Sequence, residues 1–120
     1  MARFPGVKVA ASVGPYGAYL ADGSEYRGNY GLSKAELKDF HRERLSALIA
    51  TKPNLLAIET IPELTEADAI IELISEIAPL MPFWISFSCK SENELSSGEN
   101  FADAVALVNS APSAVAVGIN

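Results

Sequence analysis

One cysteine in 120 residues, Cys89, excludes an intrachain disulfide framework and any multi-cysteine metal site built from these residues alone. Positive charge is also scarce: nine Lys and Arg stand against fifteen Asp and Glu, a formal net charge of −6. The cations Arg27, Lys34, Lys38, Arg42 and Arg44 are interleaved with carboxylates, so no basic patch offers itself to nucleic acid or to an anionic membrane surface. No apolar run approaches the ~18–20 residues needed to cross a bilayer. The opening Met1-Ala2-Arg3-Phe4-Pro5-Gly6 has no apolar segment after its one charge and does not read as a secretory signal, which makes the cytoplasm the expected location. Neither G-x-G-x-x-G nor G-x-x-x-x-G-K-[ST] occurs, so the glycines do not spell a phosphate cradle.

What is present is a hydrophobic fraction of 49%, enough for one modest globular unit. Short apolar runs at Val7–Val13, Leu55–Ile58, Phe83–Phe87 and Val115–Ile119 have strand length. None strictly alternates apolar with polar, the pattern of parallel strands buried on both faces. Helical patterns separate them. Ser33 with Glu36 makes a Ser-x-x-Glu capping box ahead of a stripe of Leu37, Phe40, Leu45, Leu48 and Ile49, closed by Pro53. Thr65 opens a second helix, with Glu66 and Asp68 suited to the positive end of its dipole and Ala67, Ile70, Ile71, Ile74, Ile77 and Ala78 facing inward. A third runs from about Glu99 to Asn109 with Phe101, Ala104, Val105 and Val108 inward, and the polar Lys90–Gly98 stretch reads as a loop. The order β-α-β-α-β-α-β requires right-handed crossovers and a parallel sheet, either doubly wound or part of a (β/α) barrel. Four such strands with two open edges and one bare flank make a poor independent domain, so residues 1–120 are expected to be the middle of a longer protein.

Parallel α/β folds carry their chemistry just past the strand C-termini. Those positions are Gly14, Glu59-Thr60, Ser88-Cys89 and Asn120. A carboxylate such as Glu59, set after four apolar residues, needs a cation or hydrogen-bond donors to stay ionised. A substrate ammonium would serve, and so would a structural Arg or local backbone amides. A glycosidase would need a second carboxylate roughly 5–10 Å away, and the other strand ends supply none. Ser86 and Ser88 could donate to a substrate carboxylate or satisfy local backbone. His41, the one histidine, lies on the stripe of Leu37 and reads as a partly buried structural residue rather than an acid–base group. Cys89 reads as a small apolar filler. In the Gly14–Tyr30 loop, Tyr16, Tyr19, Tyr26 and Tyr30 are expected to pack against the barrel rim, with Glu25 and Arg27 placed to pair.

The run Val9-Ala10-Ala11-Ser12-Val13-Gly14-Pro15-Tyr16-Gly17-Ala18, continuing to Asp22-Gly23-Ser24-Glu25-Tyr26-Arg27-Gly28-Asn29-Tyr30, resembles the signature of the homocysteine S-methyltransferase family. Phe40-His41-Arg42, Leu55-Leu56-Ala57-Ile58-Glu59-Thr60-Ile61-Pro62 and Val115-Ala116-Val117-Gly118-Ile119-Asn120 fit it in order. The resemblance implies a partial (β/α)8 barrel, the four strands being its third to sixth. It implies methyl transfer from S-methylmethionine or S-adenosylmethionine to homocysteine, giving methionine. In that family the strand-end Glu, here Glu59, holds the substrate's amino group, and Thr60, Ser86 and Asn120 complete the expected substrate contacts. Zinc held by three cysteine thiolates activates the homocysteine sulfur there. The family pattern places the first of these thiolates directly after the position of Asn120, so the zinc ligands are expected outside this chain, and the piece alone is expected to be inactive. Two other readings are an unrelated barrel enzyme using Glu59 and a non-catalytic barrel remnant.

Overall fold

The computed structural model describes residues 4–120, so part of the Met1–Gly6 segment lies outside the described residues. Four parallel strands form one sheet in the order β1-β2-β3-β4: β1 (Ala10–Val13), β2 (Leu55–Ile61), β3 (Phe83–Phe87) and β4 (Ala114–Ile119). Helices α2 (Lys34–Ala50), α3 (Leu64–Ile77) and α4 (Phe101–Asn109) link them, which is the expected alternation. The first strand is shorter than its apolar run because residues 7–9 do not pair in the sheet as a strand. The second is longer, continuing past Glu59 to Ile61. The Gly14–Tyr30 stretch is more ordered than a plain loop, holding a short helix α1 (Tyr16–Leu20) and a 3-10 turn at Ser24–Tyr26.

Local chemistry explains the helix ends. Ser33 accepts from the Glu36 amide while the Glu36 carboxylate accepts from the Ser33 amide, the reciprocal capping box read from the sequence. Helix α3 starts one residue earlier than expected, and its cap position Glu63 makes no side-chain cap. Its first amide, Leu64 N, is met instead by Glu99 Oε1 at 2.9 Å. Glu99 therefore precedes α4 rather than opening it, and Asn100 Oδ1 caps that helix through the Ala102 amide at 2.7 Å.

The core lies between the helices and one face of the sheet. Val13, Leu56, Ile58, Phe83, Ile85 and Phe87 meet Leu45 of α2, Ile70, Leu73 and Ile74 of α3, and Ala104 and Val108 of α4. Leu95, in the polar stretch expected to stay outside the core, is fully buried, and Val105 is only half-buried. The other sheet face carries Ser12, Ala57, Trp84 and Ala116 in one row by register. Between α2 and α3, Lys34, Lys38 and Arg42 interleave with Asp68, Glu72 and Glu76 in a zipper of ion pairs. β1 and β4 are the sheet's edges, and Val115 and Ile119 of β4 are 61% and 58% exposed. No helix among the described residues is long and apolar enough to cross a membrane.

Candidate active site at the strand C-terminal ends

Strand β2 does not run straight into its turn. Ile58 pairs with Ile85 and Ile61 with Phe87, so Glu59 and Thr60 together face the single residue Ser86. This is a bulge, and Thr60 pays for it with φ of 62°. A β-branched residue in the left-handed region is a genuine outlier, costing on the order of 1–3 kcal/mol, and such strain gathers at functional sites. Asn120 holds the strained turn. Its Oδ1 accepts from Thr60 N at 3.0 Å, its Nδ2 donates to Thr60 Oγ1 at 2.8 Å, and its own amide donates to Phe87 O at 2.9 Å. The end of β4 is thereby clamped across β3 onto the bulge of β2.

The bulge aims Glu59. Alternation sets it on the sheet face opposite Ile58, at the C-terminal end, half-buried. Its carboxylate makes no hydrogen bond or ion pair with any described residue. The Ser86 hydroxyl, on the neighbouring strand, is likewise without a protein partner among the described residues. Glu59 and Ser86 thus have no side-chain partner among the described residues, whereas Thr60 and Asn120 are engaged with each other.

The remaining strand-end groups are occupied. Ser88 Oγ donates to Glu25 O at 2.8 Å and accepts from Ser96 Oγ at 2.9 Å, so Ser88 satisfies local structure rather than facing a substrate. Cys89 Sγ lies 3.8 Å from Phe87 O, and burial pushes its thiol pKa up, which suits a filler and not a nucleophile. Among the described residues no cluster of three or more His, Cys, Asp or Glu could hold a metal ion. The donor set present here does not fit a zinc site.

The loop after β1 wraps this end of the sheet. Its expected Glu25–Arg27 pair does not form, because the Arg27 guanidinium donates to Gly28 O at 2.9 Å and Ser24 Oγ at 2.9 Å. One Glu25 oxygen is buried without a partner. Tyr16 and Tyr19 pack edge-on against Phe40 of α2, at 4.9 and 5.3 Å, rather than on the barrel rim, and Tyr26 is 68% exposed. The loop's far end is tied down where Asn29 N donates to Glu63 Oε2 at 2.6 Å and Asn29 Nδ2 to Ser97 O at 3.0 Å. Burial, opposed by that amide bond, raises the Glu63 pKa.

Behind the loop is a polar group that sequence reasoning missed. Glu66 is fully buried, and its carboxylate meets His41 Nε2 at 2.7 Å, Tyr16 N at 2.7 Å and Tyr30 Oη at 3.3 Å. His41 is fully rather than partly buried, and its Nδ1 has no partner. The signal lay in the stripe: Glu66, Ile70, Leu73 and Ile77 recur at i, i+4, i+7 and i+11, so this acid sits on the buried face of its helix. The same spacing joins His41 to Leu37 and Leu45.

A parallel sheet whose strands follow chain order, with the linking helices packed on one face, is a segment of (β/α)-barrel architecture. Comparison with known proteins is specific. A profile of the family described as Homocysteine S-methyltransferase matches residues 1–120. Homocysteine S-methyltransferase YbgG of Bacillus subtilis is 53% identical over 112 residues, and Homocysteine S-methyltransferase 1 of Zea mays 49% over 114; each match takes in 93% of this chain and 35% of the relative. The crystal structure of the homocysteine methyltransferase MmuM from Escherichia coli, in its metallated form, superimposes with a TM-score of 0.92 at 46% identity, covering 99% of this chain and 42% of that one. The chain belongs to the homocysteine S-methyltransferase family, and it spans about a third of the length of the curated relatives it matches.

Proposed function

We propose that this chain contributes the amino-acid end of a homocysteine pocket to an enzyme that transfers a methyl group from a sulfonium donor, S-methylmethionine or S-adenosylmethionine, to homocysteine. The observation that carries this reading is Glu59: a half-buried carboxylate at a strand C-terminus with no protein partner among the described residues. Such a group calls for a cation, and the ammonium of an amino acid supplies one. The free Ser86 hydroxyl one strand away is placed to donate to the substrate carboxylate. Thr60 can still donate its hydroxyl proton, and Asn120, by bracing Thr60, fixes where Glu59 points.

In the reaction the homocysteine sulfur, having lost its proton to solvent, attacks the methyl carbon in line. The new carbon–sulfur bond forms as the old one breaks, and the electron pair leaves with the donor sulfur as a neutral thioether. The residues of this chain bind and orient the amino acid and keep its sulfur at a fixed reach from Glu59. Zinc is part of the proposal only as a metal whose ligands come from outside these residues, and the proposed setting is the cytoplasm.

The test is Glu59→Gln in the full gene product, read by calorimetric titration of homocysteine alongside metal content. Loss of a charge-assisted pair costs about 1.5–3 kcal/mol, a weakening of about 10- to 150-fold. Metal content should not change. Undiminished homocysteine affinity in the Gln variant would overturn the assignment.

A further inference from the structure

We infer that Glu66 is a positioning residue of the mouth, holding the Tyr16–Tyr30 loop in place through two of that loop's own donors; the inference rests on the methyltransferase reading above. Glu66 touches no strand end itself. It is the third residue of α3, where the helix's positive end favours a carboxylate, and it is fully buried. Three donors from two other elements converge on it: His41 Nε2 from α2, Tyr16 N at the start of the loop, and Tyr30 Oη at its end. Tyr30 closes the ring of contacts, because its oxygen also accepts from Gly17 N at 3.0 Å. The loop's two ends are thereby joined to each other and to one buried carboxyl group.

The loop then carries this constraint to the mouth. Gly28 is wedged against Pro62, Glu63 and Ser97, with no room for a β carbon beyond 3.3–3.4 Å contacts. Asn29 is bonded to Glu63 and Ser97, and Glu25 O to Ser88. Glu63 lies three residues beyond the strained Thr60 and four beyond Glu59. The segment bearing the free carboxylate is therefore clamped on one side by Asn120 and on the other by a loop whose anchor is Glu66. A buried polar network of this kind favours one arrangement of the elements it joins, and removing one of the donors that reach Glu66 loosens that hold.

The test compares Tyr30→Phe, Glu66→Gln and Glu66→Ala in the full gene product. Tyr30→Phe keeps the ring that packs edge-on against Tyr16 at 5.1 Å and removes only the hydroxyl. One readout needs no substrate: trypsin cleavage after the exposed Arg27, near the end of the loop and beside its tether at Asn29. The other is steady-state kinetics with homocysteine varied. We expect Tyr30→Phe to speed cleavage and to raise the homocysteine KM by about tenfold, with kcat within about threefold, since small misplacements of binding groups cost this much and more. Glu66→Ala should do the same more severely, and Glu66→Gln, which keeps one acceptor oxygen, should fall between it and the wild type. Unchanged cleavage in Tyr30→Phe would overturn the hold on the loop. Faster cleavage with an unchanged KM would overturn the link from loop to mouth. A wild-type protein that binds no homocysteine would sink the methyltransferase reading instead, recognisably so, because the cleavage difference would persist.

Discussion

Gly17→Ala sets two effects of opposite sign against each other. Gly17 lies inside α1, where replacing glycine by alanine ordinarily stabilises a helix by about 1 kcal/mol. Here a β carbon would fall 2.4 Å from Glu25 N, 2.6 Å from Ser24 C and 2.7 Å from Tyr30 Oη. Two of these are backbone atoms and cannot rotate away, so the 3-10 turn must shift by about 1 Å to reach ordinary contact, and overpacking of this kind costs about 1–3 kcal/mol. The shift also stretches the 3.0 Å bond from Gly17 N to Tyr30 Oη, a further loss of about 0.5–1.5 kcal/mol. The steric and hydrogen-bond costs exceed the helix gain, and the expected outcome is a destabilisation of about 1–3 kcal/mol. Urea unfolding of the full gene product measures it as a lowered midpoint at constant slope. Gly14→Ala is the control, since a β carbon there meets nothing within 4 Å and its backbone is not left-handed, so it should be close to neutral. A Gly17→Ala protein as stable as the wild type would refute the packing of the loop described above.

Two further predictions concern the helices and the metal. Hydrogen bonds from Lys34 and then Lys38 hold the Glu72 carboxyl at a pKa of about 2, and the Lys38 hydrogen bond lowers that of Glu76. Because these folded-state values lie below the ordinary 4.5, the zipper's contribution is present above that pH and lost as pH falls from about 4.5 towards about 2. Glu72→Gln should flatten the acid limb of a stability-against-pH curve, and an unaltered limb would remove the zipper from the account. Residues 1–120 produced alone should bind no stoichiometric zinc by atomic absorption, because no described cluster can hold a metal, and zinc bound at one per chain would contradict this.

The strands and helices were legible because their signals are local and mutually consistent. β3 matches its apolar run at both ends, and the Ser33–Glu36 capping box forms as read. The ends of β3 and β4 were legible for the same reason, since counting along the apolar runs places Ser88 and Asn120 just past them, whereas Glu59 and Thr60 fall inside β2, which the bulge carries on to Ile61. What stayed hidden depends on contacts between residues far apart in the chain. Ser88 looks as available as Ser86 until the loop brings Glu25 O to it across 63 positions. Glu99 looks like the start of its own helix, yet it caps the preceding one. Leu95 sits in a run of polar residues and is buried all the same, because the backbone of that loop folds back through Ser96 N to Ser88 O.

Glu66 is the most instructive of these, because its sequence context supports two answers at once. An acid in a helix's first turn is favoured by the dipole whether it points to solvent or inward, so the capping argument alone cannot place it. The apolar stripe could, since Glu66 shares the face of Ile70 and Leu73 and a buried carboxylate must find donors. His41 presents the mirror case, one helix away on the stripe of Leu37 and Leu45. An acid and an imidazole each out of place on an apolar face, on consecutive helices that pack together, are each other's explanation. The pair then has capacity to spare, and the loop's Tyr16 amide and Tyr30 hydroxyl use it. That leftover acceptor capacity makes the buried pair more than a core detail: it ties the interface between α2 and α3 to the loop that follows β1.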